Sequence, residues 1–265
     1  MDLSSIAAMF HLTGFALRRR LFGWQALAST AVALVPTLVA LIAAGEIRSG
    51  NEQVPKPYEL YGEFLAPVCL YCVLPFLSML TMLPVVGSLY DRGAIGYLFT
   101  RPTPRWSLLL GLYKGGLLAM LPIMLVASVV PALVLMPLSH GIEFRFWLQR
   151  VAYLSAILWI GSAAYGALCM FLGVWSKKAL LWALGLLIGW GVIAGSLTGP
   201  LREISLHRYL LGLMRNWLAV DNAWTGFFVP DRDPPSSVQA VLVLALGTLI
   251  FLAMAVRAMH KRDVL

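Results

Sequence analysis

Residues 107–136 read SLLLGLYKGGLLAMLPIMLVASVVPALVLM and carry one charge, Lys114, close to the start. A helix crosses the ~30 Å hydrocarbon layer with about 20 apolar residues, so this run is long enough to span it. A lysine near one end can lay its methylenes in the lipid and reach the headgroups with its ammonium. Five more runs of this kind occur, at 21–45, 64–90, 148–175, 179–199 and 238–256, and among them only 148–175 holds a charge, Arg150, again near the start. Lipid offers no partner to free backbone groups, so helices are the expected form. The strands of a transmembrane barrel would be short and alternating, and these runs are continuous.

The composition agrees. Of the 265 residues, 60% are apolar and 12% are charged, about half the charge of a soluble domain; mean hydropathy is +0.82. Such a chain cannot cover itself with a wettable surface, which excludes a soluble enzyme, and it is too apolar for disorder. The fold class expected is all-α, a polytopic membrane protein of six spans forming one transmembrane domain over 1–265. The stretches outside the spans are too short for a core of their own. The net charge of +8 is not a nucleic-acid footprint, because the cations gather at span ends.

Orientation follows from where Lys and Arg fall. With the amino terminus inside, the inner segments hold Arg18, Arg19, Arg20, Arg92, Arg101, Arg105, Lys114, Lys177, Lys178, Arg257, Lys261 and Arg262 against Asp2, Asp91 and Asp263. The outer segments hold the remaining eight cations and nine acids. Both termini are therefore expected in the cytoplasm, in a cell (inner or plasma) membrane. The first run is too long, and its basic cluster too late, for a cleaved signal peptide. Residues 5–17 place Ile6, Met9, Phe10 and Leu17 on one face, as an interfacial helix does. In the long outer loop 200–237, Leu206, Leu210, Leu213, Trp217 and Val220 form an apolar stripe, which predicts a second interfacial helix on the outer side.

Several chemistries have no residues to carry them. No Asp, Glu or His falls within the six runs, and His11, His140, His207 and His260 lie at ends or in loops. Ion-coupled carriers need an ionisable group within the membrane. There is no His-Glu-x-x-His cluster for a metal and no Gly-rich loop ending in Gly-Lys-Ser/Thr for nucleotide phosphates. Uphill movement would need energy from another polypeptide. Cys69 and Cys72 form a Cys-x-x-Cys in an apolar helix, with Cys169 alone; small apolar filler is the favoured role, a redox or metal role the alternative. Pro36, Pro67, Pro75, Pro84, Pro122 and Pro131 interrupt the spans and read either as hinges or as ordinary irregularity. Gly185, Gly189, Gly191, Gly195 and Gly199 contain Gly-x-x-x-Gly spacings, suited to close packing within the subunit or between two.

The inner connection at 89–108 reads LYDRGAIGYLFTRPTPRWSL. Residues 91–99 suit a short surface helix, and Pro102 and Pro104 force an extended turn after it. By composition alone this is a solvated basic loop. It resembles the inner loop of six-span permeases of type-2 ATP-binding-cassette (ABC) exporters, close in flavour to those associated with multi-copper-enzyme maturation. The matching residues are Asp91, Gly93, Tyr97, Leu98, Thr100, Arg101, Pro102 and Arg105, with Gly111 and Lys114 near the family's Gly-Lys. Asp91 stands where the family usually has Glu, and Ala94-Ile95-Gly96 replaces its Gly-Thr-Leu. The end of the chain at 261–265 and the two amphipathic helices also resemble the family.

The resemblance implies a permease subunit paired with a second, identical or different, and with cytosolic ABC ATPase subunits that bind ATP-Mg; the chain itself would bind no cofactor and catalyse nothing. The segment 91–99 would be the coupling helix, with Asp91, Arg92, Gly93, Tyr97, Arg101, Pro102 and Arg105 contacting the ATPase. Nearly uncharged first, second and fifth spans would line a path for an amphipathic or lipid-like cargo. The alternatives are a membrane scaffold or assembly factor, and an ATP-independent carrier.

Overall fold

The computed structural model describes residues 13–14, 17, 24–50, 54–91, 104–139, 141–176, 178–186, 203, 205–218 and 235–262. Among these every regular element is a helix. Five helices are long and apolar enough to cross a membrane. They are α1 (Trp24–Arg48), α2 (Pro57–Val85, continuing to Asp91), α3 (Arg105–Leu138), α4 (Phe144–Trp175) and α7 (Ser237–Arg262). Between α4 and α7 lie the short α5 (Ala179–Leu184) and α6 (Leu206–Leu218).

The helices outrun the apolar stretches. α2 begins at Pro57, a residue whose missing N–H costs nothing in a first turn, and α4 begins at Phe144 after an extended Glu143. The added turns hold Tyr58, Glu59, Tyr61, Arg145 and Trp147, polar or amphipathic side chains that belong at a headgroup layer. α1 breaks at Leu34, just before Pro36, and resumes at Val35. The expected span at 179–199 falls mostly outside the described residues, as does most of the amino-terminal interfacial helix; Thr13 is helical and its hydroxyl donates to the Gly111 carbonyl at 3.1 Å.

Pairwise contacts fix the directions. α3 runs antiparallel to α2: Tyr61 donates its hydroxyl to the Ser128 carbonyl at 2.8 Å, while Met82 meets Gly116. α3 is also antiparallel to α4, through Ser128 Oγ and Ser155 Oγ at 2.7 Å and the Tyr113 hydroxyl on the Ala163 carbonyl at 2.7 Å. α4 and α7 run parallel, since Ile160 shares a groove with Leu244 and Trp175 shares a pocket with Arg257 and Lys261. One end of the bundle therefore gathers Asp91, Arg105, Trp175, Lys178, Arg257 and Lys261. The other gathers Arg48, Lys56, Arg145 and Arg150 with Glu46, Glu59, Glu63 and Glu143.

Lipid tails are as apolar as leucine, so helix association in a membrane rests on close packing and interhelical hydrogen bonds. Gly161 supplies the close packing: a Cβ there would lie 2.7 Å from Leu74 Cδ2 and 3.1 Å from Leu210 Cδ1. Two π-helical turns lie in α2, at Tyr61–Leu65 and Cys69–Val73. Each ends two residues before a proline, Pro67 and Pro75. A proline ring collides with the carbonyl four residues back, and widening the preceding turn moves that carbonyl away.

One sequence expectation is corrected by α6. Its amphipathic pattern suggested a helix lying flat on the outer surface. Instead it stands along α4 and antiparallel to it, with His207 beside Tyr165, Leu210 beside Gly161 and Trp217 beside Tyr153. Its far end is tied to the start of α7, where Gly212 packs on the Pro235 ring and Asn216 Nδ2 donates to the Pro235 carbonyl at 3.0 Å. Both faces of the helix find protein: Tyr209, Leu213, Met214 and Leu218 are buried as well.

Candidate functional site

Two regions carry polar groups in positions that need explaining. The first is the connection between α2 and α3. α2 ends at Asp91, and α3 opens at Arg105 after Pro104, whose φ of −65° and ψ of 134° are extended. The connection therefore belongs to the end of the bundle that carries Lys178, Arg257 and Lys261. Of the residues expected to contact an ATPase, Arg105 stands in the first turn of α3 and Asp91 in the last of α2. Arg92, Gly93, Tyr97, Arg101 and Pro102 lie outside the described residues.

The second region is inside the bundle, and the sequence alone missed it. His207 is 5% exposed. Its Nδ1 lies 3.3 Å from the Tyr165 hydroxyl, and its ring lies 3.8 Å from that of Tyr71, tilted by 52°. Tyr71 sits in the middle third of α2, and Tyr165 about two thirds of the way along α4. An ionisable ring from outside the six apolar runs is therefore packed against two of the long helices. No carboxylate faces the ring among the described residues, and burial without a counter-charge favours the neutral imidazole. With the Tyr165 hydroxyl donating to Nδ1, the proton sits on Nε2, which has no hydrogen-bond partner among the described residues. The signal was present in the sequence: Leu210, Met214 and Leu218 form a helical stripe that runs back to position 207.

The far end is held by an aromatic cluster around one cation. Arg150 Nη1 donates to the Tyr58 carbonyl at 2.6 Å, and the guanidinium carbon lies 3.6 Å from the centre of the Tyr58 ring. Trp147 packs edge-on against Tyr58 and Tyr61 and donates to Ser139 Oγ at 2.8 Å. This arrangement uses Arg150 structurally, with its charge spread over a ring and a carbonyl.

The cysteines diverge. Cys69 is buried with its thiol 3.7 Å from the Ala127 carbonyl, Cys169 is buried, and Cys72 is exposed. The π turn that contains Cys69 and Cys72 has more than four residues per turn, which swings the two thiols apart. Among the described residues no three His, Cys, Asp or Glu side chains converge as metal ligands would. An open, almost wholly apolar groove of about 420 Å³ runs between α3, α4 and α7, past Leu117, Trp159, Ala163 and Leu244. The expected cavity between the first, second and fifth spans falls partly outside the described residues. No family model matches the chain, and no curated protein matches it.

Proposed function

We propose that the protein is the membrane subunit of an ABC exporter, moving an amphipathic or lipid-like cargo with ATP hydrolysed by a separate cytosolic subunit. The observation that carries this reading is the connection 92–104 at the most basic end of the bundle, a short proline-bearing link between two long antiparallel helices. A short link between two such helices would pass a push from a partner to α2 and α3 together. Support for six spans comes from the parallel run of α4 and α7: helices that pass in one direction need one further net crossing between them, here between Trp175 and Ser237. Counted that way the basic end carries both termini, and cation bias makes it cytoplasmic. The chain lacks a nucleotide-phosphate loop, so the energy would come from the partner. A second copy or a related subunit completes the pathway.

Co-expression with an ATPase encoded beside it tests the assignment. Arg101→Glu with Arg105→Glu reverses two charges on the link. The expected result is loss of the complex, or ATP turnover no longer coupled to transport. Full assembly and transport in that double variant would remove the link from the mechanism.

A second reading, an ATP-independent proton-coupled carrier, is favoured by His207, an ionisable ring packed against two of the long helices. Purified protein in vesicles, with a pH gradient and no nucleotide, separates the two: cargo movement there that His207→Gln abolishes selects the carrier.

A further inference from the structure

The basic end of the α4–α7 seam holds an open pocket of about 500 Å³. Its walls are two facing helical stripes. α4 contributes Phe171, Val174 and Trp175; α7 contributes Met254, Arg257, Ala258 and Lys261. The spacings are those of one helix face each, three and four residues apart. Chemically the pocket is split along its length. Its floor is apolar, with Phe171 half-buried and Met254 exposed along it and Val174 buried behind them. Its rim carries two cations one turn apart. Neither Arg257 nor Lys261 forms an ion pair among the described residues. The Trp175 ring stacks on Phe171 at 6.1 Å between centroids and 13° between planes, and meets Trp182 at 5.7 Å. Indoles at this position mark the headgroup layer, with their bodies in hydrocarbon and their N–H groups toward polar atoms.

We propose that this pocket is a binding site for one anionic phospholipid, its phosphate held between Arg257 and Lys261 and the upper part of an acyl chain lying over Phe171 and Met254. Charge complementarity selects the occupant. Two cations that form no ion pair among the described residues, at a hydrocarbon boundary, call for an anion, and the apolar floor beneath them calls for that anion to carry a chain. A free phosphate would satisfy only the rim, and an apolar molecule only the floor. The guanidinium suits the phosphate because it offers parallel donors, and the ammonium four residues on closes the other side. The site joins the middle-to-basic portions of α4 and α7, so a bound lipid would brace the seam between them. This inference concerns a lipid and stands whether or not an ATPase partner exists.

The test uses the full chain purified in a neutral detergent. Native mass spectrometry reads retention of phosphatidylglycerol against phosphatidylcholine of the same chain length. The expected result is a preference for phosphatidylglycerol of about tenfold or more, as two cations near a lipid surface supply. Arg257→Gln with Lys261→Gln should bring the preference close to one. Arg48→Gln with Arg145→Gln, which removes the same charge from the opposite end, should leave it in place. A milder variant, Lys261→Gln alone, should give an intermediate value and covers the case in which the double variant does not fold. Equal retention of the two lipids by the unaltered protein, equal loss in both double variants, or binding of inorganic phosphate alone with the same dependence on Arg257 and Lys261 would each overturn the proposal. So would a map showing another segment of the chain seated in the pocket.

Discussion

At the scale of single residues, the buried polar atoms say most about how the bundle is specified. The Tyr165 hydroxyl and His207 Nδ1 are paired across α4 and α6 at 3.3 Å. A buried polar group left without its partner costs about 1–3 kcal/mol, whereas removing both partners together is close to neutral. Tyr165→Phe alone should therefore destabilise the protein by that amount, and His207→Leu alone by less, because it strands the Tyr165 hydroxyl but also removes the Nε2 group that has no partner among the described residues. The double variant should recover much of the loss, which thermal unfolding in detergent would read as a strong departure from additivity. Strict additivity would show that the pair is not a pair. The role of His207 was hard to read in advance because the sequence marks polarity and not depth. A histidine between Leu206 and Arg208 in a long outer loop resembles a surface residue. Only the placement of α6 against Gly161, where a side chain would collide with Leu210, puts it inside. The position of Arg150 near the start of an apolar run is legible in the sequence; its ring and carbonyl partners are not, because Tyr58 lies in a turn of α2 that precedes the apolar run 64–90.

Among the helices, α2 has the most unusual construction. A π turn is an α-helix with one residue inserted, and α2 holds two, each set in front of a proline. A residue taken out of such a turn leaves the helix on both sides facing as before. A residue taken out of regular α-helix rotates everything beyond it by about 100°. Deletion of Cys72, which is exposed within the second π turn, should thus be tolerated better than deletion of Phe76, which is exposed in the α-helical part. Folded yield by size-exclusion chromatography is the measure, and equal yields would argue against this account of the turns. The prolines themselves were visible in the sequence as interruptions. What they do to the turns before them was not, because a π turn has no distinctive residue pattern and arises from the collision of a ring with a carbonyl. The ends of the helices were misplaced for a related reason. A hydropathy scan stops at Glu63 or Arg145, and a helix does not, provided that its charged turns reach the headgroups or find a ring.

For the molecule as a whole, the alternation of directions predicts which positions share a side. Single cysteines substituted at Trp24, Lys178 and Lys261, in a chain lacking its own three, should react with an impermeant thiol reagent from one face of sealed vesicles. Cysteines at Gly50, Gly141 and Ser237 should react from the other. Mixed labelling within either set would break the topology. The helical class and the approximate centres of the five long helices were legible from composition and run length, since about 20 apolar residues can do little else; most of the sixth expected span, 179–199, lies outside the described residues. The inner link was recognisable only as a basic, proline-bearing loop with a family resemblance, because docking surfaces have no periodicity to detect. The lipid pocket was not foreseen either: Phe171 and Arg257 are far apart in the chain, and only the parallel seam brings their stripes together.

That seam has a consequence for biogenesis. α7 leaves the ribosome after α4, and it covers a flank of that helix completed some sixty residues earlier in synthesis. Until α7 arrives, Ile160 and Ala163 face whatever chaperone or insertase attends the nascent chain. A product released before residue 237 would keep that flank bare, which gives membrane quality control a simple mark by which to tell an unfinished copy from a finished one.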